Sequence, residues 1–304
     1  MMAPRFSRRR FLAVAAAACT ATQVRAKAPV ATWRGPALGA LAEVRIAGLD
    51  GAEAAPILAQ VEAELARIDR LFSLYRGDSA LVRLNRNGVL PGPEPDFLHL
   101  LSLARTVHFA TEGAFDPTVQ PLFALHAEHA AAGRSVDPEL LSDARSRVSF
   151  ERVRFDGTSV HFERPGMAMT LNGIAQGYAT DRLTDLLQRA GLRDVLVNAG
   201  EIRAVGSEQG ARGWPVRLPG GQRCRLENRA LATSDLFGTI VDPARAVGHI
   251  FAPSQGTRTL RHGPVTAYHE SAAVADAAST AAVVLDDRQL SLLGPLGVRL
   301  QPSG

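Results

Sequence analysis

Residues 167–206 read MAMTLNGIAQGYATDRLTDLLQRAGLRDVLVNAGEIRAVG. The pattern predicts a strand in MAMT, a tight loop, and an amphipathic helix stopped by Gly191. A buried strand, VLVN, then leaves into a Gly-containing turn. A glycine-bearing turn that opens a helix can bring backbone groups close to a phosphate. LNGIAQG has only Gly173 and Gly177, four apart, so the G-x-G-x-x-G dinucleotide fingerprint is not met, and the chain has no P-loop.

Toward the N-terminus, TWRGPALGALAEVRIAG reads as short strands around Gly turns. Ile57, Leu58, Val61, Leu65, Ile68 and Leu71 then recur at three- and four-residue steps and predict an amphipathic helix. A short helix follows in FSLYRGDSALVRLNRNG, and a second amphipathic helix in PEPDFLHLLSLARTVHFATEG closes at Gly113. AFDPTVQPLFAL predicts a loop with two prolines, and residues 126–147 predict peripheral helices. VRFDGTSVHFERPG alternates around Asp156-Gly157 as a β-hairpin does. Toward the C-terminus, WPVRLP, CRLENRALATSD and FGTIV read as further strands. HGPVTAYHESAAVADAASTAAVVLDD gives one more strand and an Ala-rich helix. Helices and strands mix without a strict βαβ rhythm, which predicts an α+β fold of mixed or antiparallel sheets flanked by helices. The expected form has two lobes, with a cleft near residues 171–181.

The 304 residues carry a formal net charge of +4. Residues 1–28 hold Arg5, Arg8, Arg9, Arg10, Arg25 and Lys27 and no acid, so the remainder is net −2. The basic character belongs to the leader, which excludes a nucleic-acid reading of the charge. SRRRFLAVAAAACTATQVRAKA has a basic start, a short apolar run and a small-x-small end, and resembles a twin-arginine signal peptide. Residues 1–28 are therefore expected to be removed on export to the periplasm, leaving residues 29–304 as one domain. The apolar run falls short of the ~20 residues of a membrane span. Cys19 is either a lipidation site or a small leader residue. Cys224 is the one other cysteine, so the mature chain has no internal disulfide and no thiolate metal cluster. Lys27 is the only lysine, so any cationic help at a phosphate falls to Arg, His or a metal.

Four places carry residue types suited to chemistry. Asp276 and Thr280 share a helix face and are hard oxygen donors of the kind Mg²⁺ takes; the alternative is an ordinary solvated helix turn. Asp116 and Thr118 flank Pro117, where Asp116 either contacts a ligand or caps the next turn. His249, between Gly248 and an apolar pair, is either a general base or a structural histidine. Tyr75 either stacks on a flat ring or joins the core. Zinc-type histidine spacing is absent from the sequence.

Seven ordered motifs together are more specific: F-S-x-Y-R-x-x-S-x-x-x-x-L-N at 72–85, G-A-F-D-P-T-V-x-P-L at 113–122, G-I-A-x-G-Y-A-x-D at 173–181, V-N-A-G at 197–200, A-T-S at 232–234, H-I-x-x-P-x-x-G at 249–256 and A-D-A-x-S-T-A at 275–281. They resemble the ApbE family of FAD:protein FMN transferases, from about residue 33 onward. The resemblance implies an ApbE-like fold with two lobes around an FAD cleft. It implies FAD as substrate, Mg²⁺ as cofactor, and transfer of FMN to a Thr or Ser hydroxyl of an acceptor protein with release of AMP. It places Mg²⁺ on Asp276, Thr280 and the carbonyl of Ala175, with Ser279 as a further contact. Tyr75, Ala114, Phe115, Asp116, Thr118, Asn172, Gly173 and Tyr178 fall where FAD is expected, and His249 where the base is expected.

The chain departs from the family pattern at several points. The usual D-L-G-G-I-A-K-G carries Thr170, Asn172 and Gln176 here; N-A-G-G-D becomes Asn198-Ala199-Gly200-Glu201-Ile202; Asp235 follows Thr233-Ser234; and Ala252 precedes Pro253. These changes are similar to an exported subgroup linked to nitrous-oxide respiration, whose acceptor is a membrane-bound electron-transfer protein. Two alternatives stay open: a periplasmic FAD carrier without transferase activity, and an FAD pyrophosphatase giving FMN and AMP.

Overall fold

The structure, a computed structural model, describes residues 28–208, 211–253 and 260–301. The leader and Cys19 lie outside the described residues. Among those described, no helix is long and apolar enough to cross a membrane.

The chain opens with β1 (Val30–Ala37) and β2 (Ala40–Ala47), an antiparallel hairpin, followed by α1 (Gly51–Phe72). Asp50 and Glu53 form a capping box at the start of α1, and Val61, Leu65, Ile68 and Leu71 bury its predicted stripe. After α2 (Ala80–Asn87), β3 (Val89–Pro91) and α3 (Pro95–Ala110) come α4 (Gln120–Ala131) and α5 (Pro138–Ser146). The hairpin β4 (Val153–Phe155) and β5 (Ser159–Phe162) joins β3 in a three-stranded sheet. Then follow α6 (Asn172–Arg189), β6 (Val195–Asn198), β7 (Ile202–Val205), β8 (Trp214–Arg217), β9 (Arg223–Leu226) and β10 (Arg229–Ser234). Last come β11 (Ile240–Asp242), β12 (Val247–Gly248), β13 (Val265–His269), α7 (Ala272–Val284) and β14 (Arg299–Gln301).

The main sheet has seven strands in the order β1-β2-β6-β7-β10-β13-β14, every pair antiparallel. Alternation along β6 divides its two faces: Val195 and Val197 join the large helix-side core, and Leu196 joins a second cluster around Trp214. α1, α6 and α7 pack on the sheet, and α3 packs on α6 and α7. The large core runs on from the sheet to Leu90, Val153 and Val160 of the small sheet. The α+β expectation holds.

Two local expectations fail. MAMT forms no strand, because its backbone groups find other partners: Met169 exchanges two hydrogen bonds with the Asn85 side chain, both 2.8 Å, and Thr170 N–H bonds Pro117 O at 2.8 Å. The expected loop after Asp116 is instead a 3₁₀ turn at Pro117–Val119 running into α4. Pro117 and Pro121 both fall in first-turn positions, where proline costs a helix no hydrogen bond.

Candidate functional site

The site forms where α6 meets α7. Gly177 lets the two helices touch: a Cβ there would lie 2.3 Å from the Ala272 carbonyl oxygen and 2.7 Å from Ala273 Cα. Asp181, one turn further along α6, clamps the start of α7. Its carboxylate accepts from Ser271 Oγ at 2.6 Å, Ala272 N at 2.9 Å and Ala273 N at 3.0 Å, and pairs with Arg203 at 2.7 Å. With the helices so fixed, Asp276 reaches from α7 to α6 and accepts from Gly177 N–H at 3.0 Å. Ala175 lies two residues before Gly177 and is buried.

Thr280 stands one turn after Asp276 on the same face. A Cβ on Gly173 would lie 3.0 Å from Thr280 Oγ1 and 3.4 Å from the Phe115 ring, so Phe115, Gly173 and Thr280 converge. α6 has no side-chain cap and bends at Gly173, with exposed Asn172 beside the bend. Ser234, at the end of β10, contacts Ser279 Oγ at 2.7 Å and Thr280 Oγ1 at 3.2 Å.

Ser279 is turned inward. It is fully buried, its hydroxyl donates to Asp276 O at 2.9 Å, and its other contact is Ser234. Thr280 and Ser234 are thus the hydroxyls at the open side. Sequence reading missed Ser234 and Glu201 as site members; Ser234 ends the quoted A-T-S, and Glu201 directly follows V-N-A-G.

Electrostatics marks the same spot. Burial pushes the Asp276 carboxyl up to about 7; the Gly177 N–H opposes this and the charge of Asp181 adds to it. Burial, then the charge of Asp276, raises Glu201 well above the usual carboxylate range, against the Thr233 N–H at 3.2 Å. Two desolvated carboxylates with hydroxyls beside them make an oxygen donor set of the kind a hard cation takes. Among the described residues no group of three or more His, Cys, Asp or Glu gathers as a metal cluster. Mg²⁺ needs no such group, since it takes one or two carboxylates and completes its shell with phosphate oxygens and water. The donor set fits it.

The remaining expected residues separate. Tyr75 is 80% exposed beside Gly39 and is not core. Asp116 is the cap its spacing allowed: it accepts from Thr118 N at 2.7 Å, Thr118 Oγ1 at 2.5 Å and Phe150 N at 3.1 Å. Burial still raises its carboxyl. Thr118 is fully enclosed, donating to Asp116 and accepting from Ser149 N at 2.8 Å. Ala114 is buried in the turn before them. Tyr178 stands in the core. It is 2% exposed, set edge-on to Phe72, and its hydroxyl donates to Asp96 at 2.6 Å within the Glu64, Arg67 and Arg182 ion network. Helical spacing turns it away from Gly173 and into the core.

His249 follows β12, in the excursion that leaves β10 just after Ser234 and returns at β13. Its half-buried ring keeps Nδ1 against Thr239, 3.1 Å from the carbonyl and 3.3 Å from the N–H. Nε2 makes no hydrogen bond among the described residues, and is free to take a proton in the tautomer whose Nδ1–H donates to the Thr239 carbonyl. Gly248 packs on the Leu236 backbone, tying the excursion to the end of β10.

An antiparallel seven-stranded sheet with an oxygen-rich site between two packed helices defines the class, and the ApbE family model matches residues 38–297. The chain belongs to the ApbE family. It is 27% identical over 274 residues to the FAD:protein FMN transferase of Vibrio cholerae, covering 84% of this chain and 81% of that protein. The Klebsiella pneumoniae FAD:protein FMN transferase is 26% identical, covering 83% and 77%. Among solved structures, the ApbE protein of Thermotoga maritima superposes with a TM-score of 0.77 at 27% identity, covering 90% of this chain and 93% of that one. The apo flavinyl transferase ApbE of Pseudomonas stutzeri gives 0.76 at 25%, covering 90% of each.

Proposed function

We propose that this chain transfers FMN from FAD to a Thr or Ser hydroxyl of an acceptor protein and releases AMP. The observation that carries the reading is the Gly177–Asp276 junction, which sets an oxygen donor set beside the glycine-bearing start of α6. Family membership and the names of the relatives supply the reaction class.

Asp276, Thr280 and the Ala175 carbonyl are the groups to hold Mg²⁺, with Glu201 close behind. When bound, the ion offsets charge on the pyrophosphate oxygens and orients the displacement. The chain's own residues do the rest. The bend at Gly173 and the exposed Asn172 receive the pyrophosphate, and Tyr75 offers a ring face to the dinucleotide. His249 Nε2 takes the proton from the acceptor hydroxyl as its oxygen attacks the FMN phosphorus. The bond from that phosphorus to the AMP oxygen breaks, and AMP leaves with the electron pair. A hydroxyl is a poor nucleophile until a base takes its proton, so the step depends on that histidine.

Residues 29–304 act as the mature domain in the periplasm, after twin-arginine export. The acceptor is a membrane-bound electron-transfer subunit, in keeping with the subgroup linked to nitrous-oxide respiration. The test mixes the protein with FAD and Mg²⁺, with and without a flavin-acceptor domain, and follows AMP and protein-bound flavin. Covalent flavin and AMP together, both lost in His249→Ala and Asp276→Ala, support the transferase. AMP without acceptor identifies a pyrophosphatase, and bound FAD with no AMP identifies a carrier.

A further inference from the structure

His249 takes its hydrogen bonds from Thr239, within the same excursion between β10 and β13. Such bonds fix the ring to the excursion, not the excursion to the Asp276 and Thr280 donors. The Gly248 contact is with Leu236, at the root of the excursion. The two residues after His249 reach further. Ile250 is buried in the large core, and the ring of Phe251 meets α4.

Two side chains of α4 seat Phe251. The His126 ring stacks on it with centroids 5.2 Å apart and planes 27° apart, and Phe123 meets it edge-on at 6.3 Å and 87°. Offset stacks and T-shaped pairs are the arrangements aromatic rings prefer. Phe123 and His126 lie three apart on α4 and so are neighbours on one face. Burial holds the His126 imidazole below its usual range, with Asp242 opposing, so at neutral pH it stacks as an uncharged ring. The rest of the excursion follows: β11 packs on α4, and Arg245 Nη2 donates to Gly133 O, just past the end of α4, at 3.4 Å.

The other end of α4 belongs to the metal side. Pro117 O, in the 3₁₀ turn that runs into α4, accepts from Thr170 N–H at 2.8 Å, just before α6. Phe115, two residues before Pro117, converges with Gly173 and Thr280. One helix therefore meets the donor side at its start and Phe251 within its first two turns. Phe251 fills one of the two open positions of H-I-x-x-P, so the motif itself gives it no role. We propose that Phe251, seated between Phe123 and His126, is the positioning residue that sets His249 against the metal side. The role of His249 as base rests on the FMN-transfer reading; the seating of its segment on α4 does not.

The test is FMN transfer by the purified full chain with FAD, Mg²⁺ and a flavin-acceptor domain. A misplacement of ~1 Å costs ~10²-fold in rate, so Phe251→Ala should lower kcat by roughly that factor with FAD affinity and acceptor KM unchanged. Phe251→Tyr should keep most of the rate, and His126→Phe should restore what His126→Ala loses, because the seat needs a ring and not a proton. In a His249→Gln background, Phe251→Ala should cost nothing more, since it acts through the histidine. A merely structural role would cost rate in both backgrounds. A second measurement needs no substrate: the His249 ring signals in NMR, assigned by their loss in His249→Gln, should shift and broaden in Phe251→Ala. Circular dichroism melts check folding, and Phe251→Leu, which keeps the apolar bulk, replaces Phe251→Ala if the latter unfolds. The proposal is overturned by an unchanged kcat in the folded variant, by FAD affinity falling as far as kcat, by an equal loss in the two His249 backgrounds, or by unchanged His249 signals. Failure of the FMN-transfer reading looks different: wild type moves no FMN, while the His249 signals still answer to Phe251.

Discussion

Replacing Gly177 with Ala adds one carbon at the tightest point of the α6–α7 contact. The new Cβ would lie 2.3 Å from Ala272 O, 2.6 Å from Ala272 C and 2.7 Å from Ala273 Cα. These are backbone atoms, so no side chain can swing aside. Ordinary carbon contacts lie at ~3.5–4.0 Å, so the helices must part by about 1 Å. Overpacking of this kind costs ~1–3 kcal/mol. Parting also stretches the bonds from Asp181 to Ala272 and Ala273, each with a net value of ~1 kcal/mol. Alanine returns up to ~1 kcal/mol through helix propensity. The balance is a loss of roughly 2–4 kcal/mol, or roughly 5–15 °C in Tm at ~2–4 °C per kcal/mol for a chain of this size. The same shift moves Asp276 from Ala175, so Mg²⁺ affinity measured by calorimetry should fall at least tenfold. Gly51→Ala is the control: nothing lies within 4 Å of its Cβ position, and its Tm should hardly move. If Gly177→Ala melts at or above the wild-type temperature with unchanged Mg²⁺ affinity, the close junction does not set the site.

Further outcomes follow from the same geometry. His249→Gln should lower transfer by ~10²–10⁴-fold, the usual contribution of a general base, with FAD affinity by fluorescence unchanged. Tyr178→Phe should cost ~1 kcal/mol in urea unfolding, for the lost bond to Asp96, and leave FAD affinity alone; a large drop in FAD affinity would show that the ring meets the ligand after all. Asp276 has its carboxyl raised to about 7 from an unfolded value of 3.8, so the metal-free fold binds the extra proton between those values. Its contribution is fully present below about pH 4 and is lost as pH rises toward 7, with Glu201 acting in the same direction. Stability measured in EDTA should therefore fall across that window, and the fall should shrink in Asp276→Asn.

How far the sequence could be read depends on what each residue answers to. α1 was legible because its apolar stripe faces one continuous core, and the spacing of Val61, Leu65 and Ile68 records that directly. MAMT misled because strand propensity says nothing about Asn85, far away in the chain, which takes both backbone groups of Met169. Motif matching found Asp276, Thr280 and Gly177 together. It could not tell which motif positions face a ligand and which hold the frame. Ser79 and Asn85 in the first motif are frame: one caps α2 and the other splints Met169. Tyr178 and Thr118 make frame contacts as well, and Asp181 is the clamp that brings α7 to α6.

That division bears on Gln176, where the family pattern has a lysine. Gln176 lies over Gly200, where a Cβ would come within 2.5 Å of its Cδ, so it is packed against the turn that carries Glu201. A lysine at this position would set a positive charge beside two buried carboxylates and lower both. With glutamine there, no cationic side chain among the described residues lowers Asp276 or Glu201, and a bound cation would offset their desolvation. Gln176→Lys should thus weaken Mg²⁺ binding and flatten the fall of metal-free stability with pH. Tighter Mg²⁺ binding in that variant would mean that the lysine reaches the phosphate side and not the carboxylates.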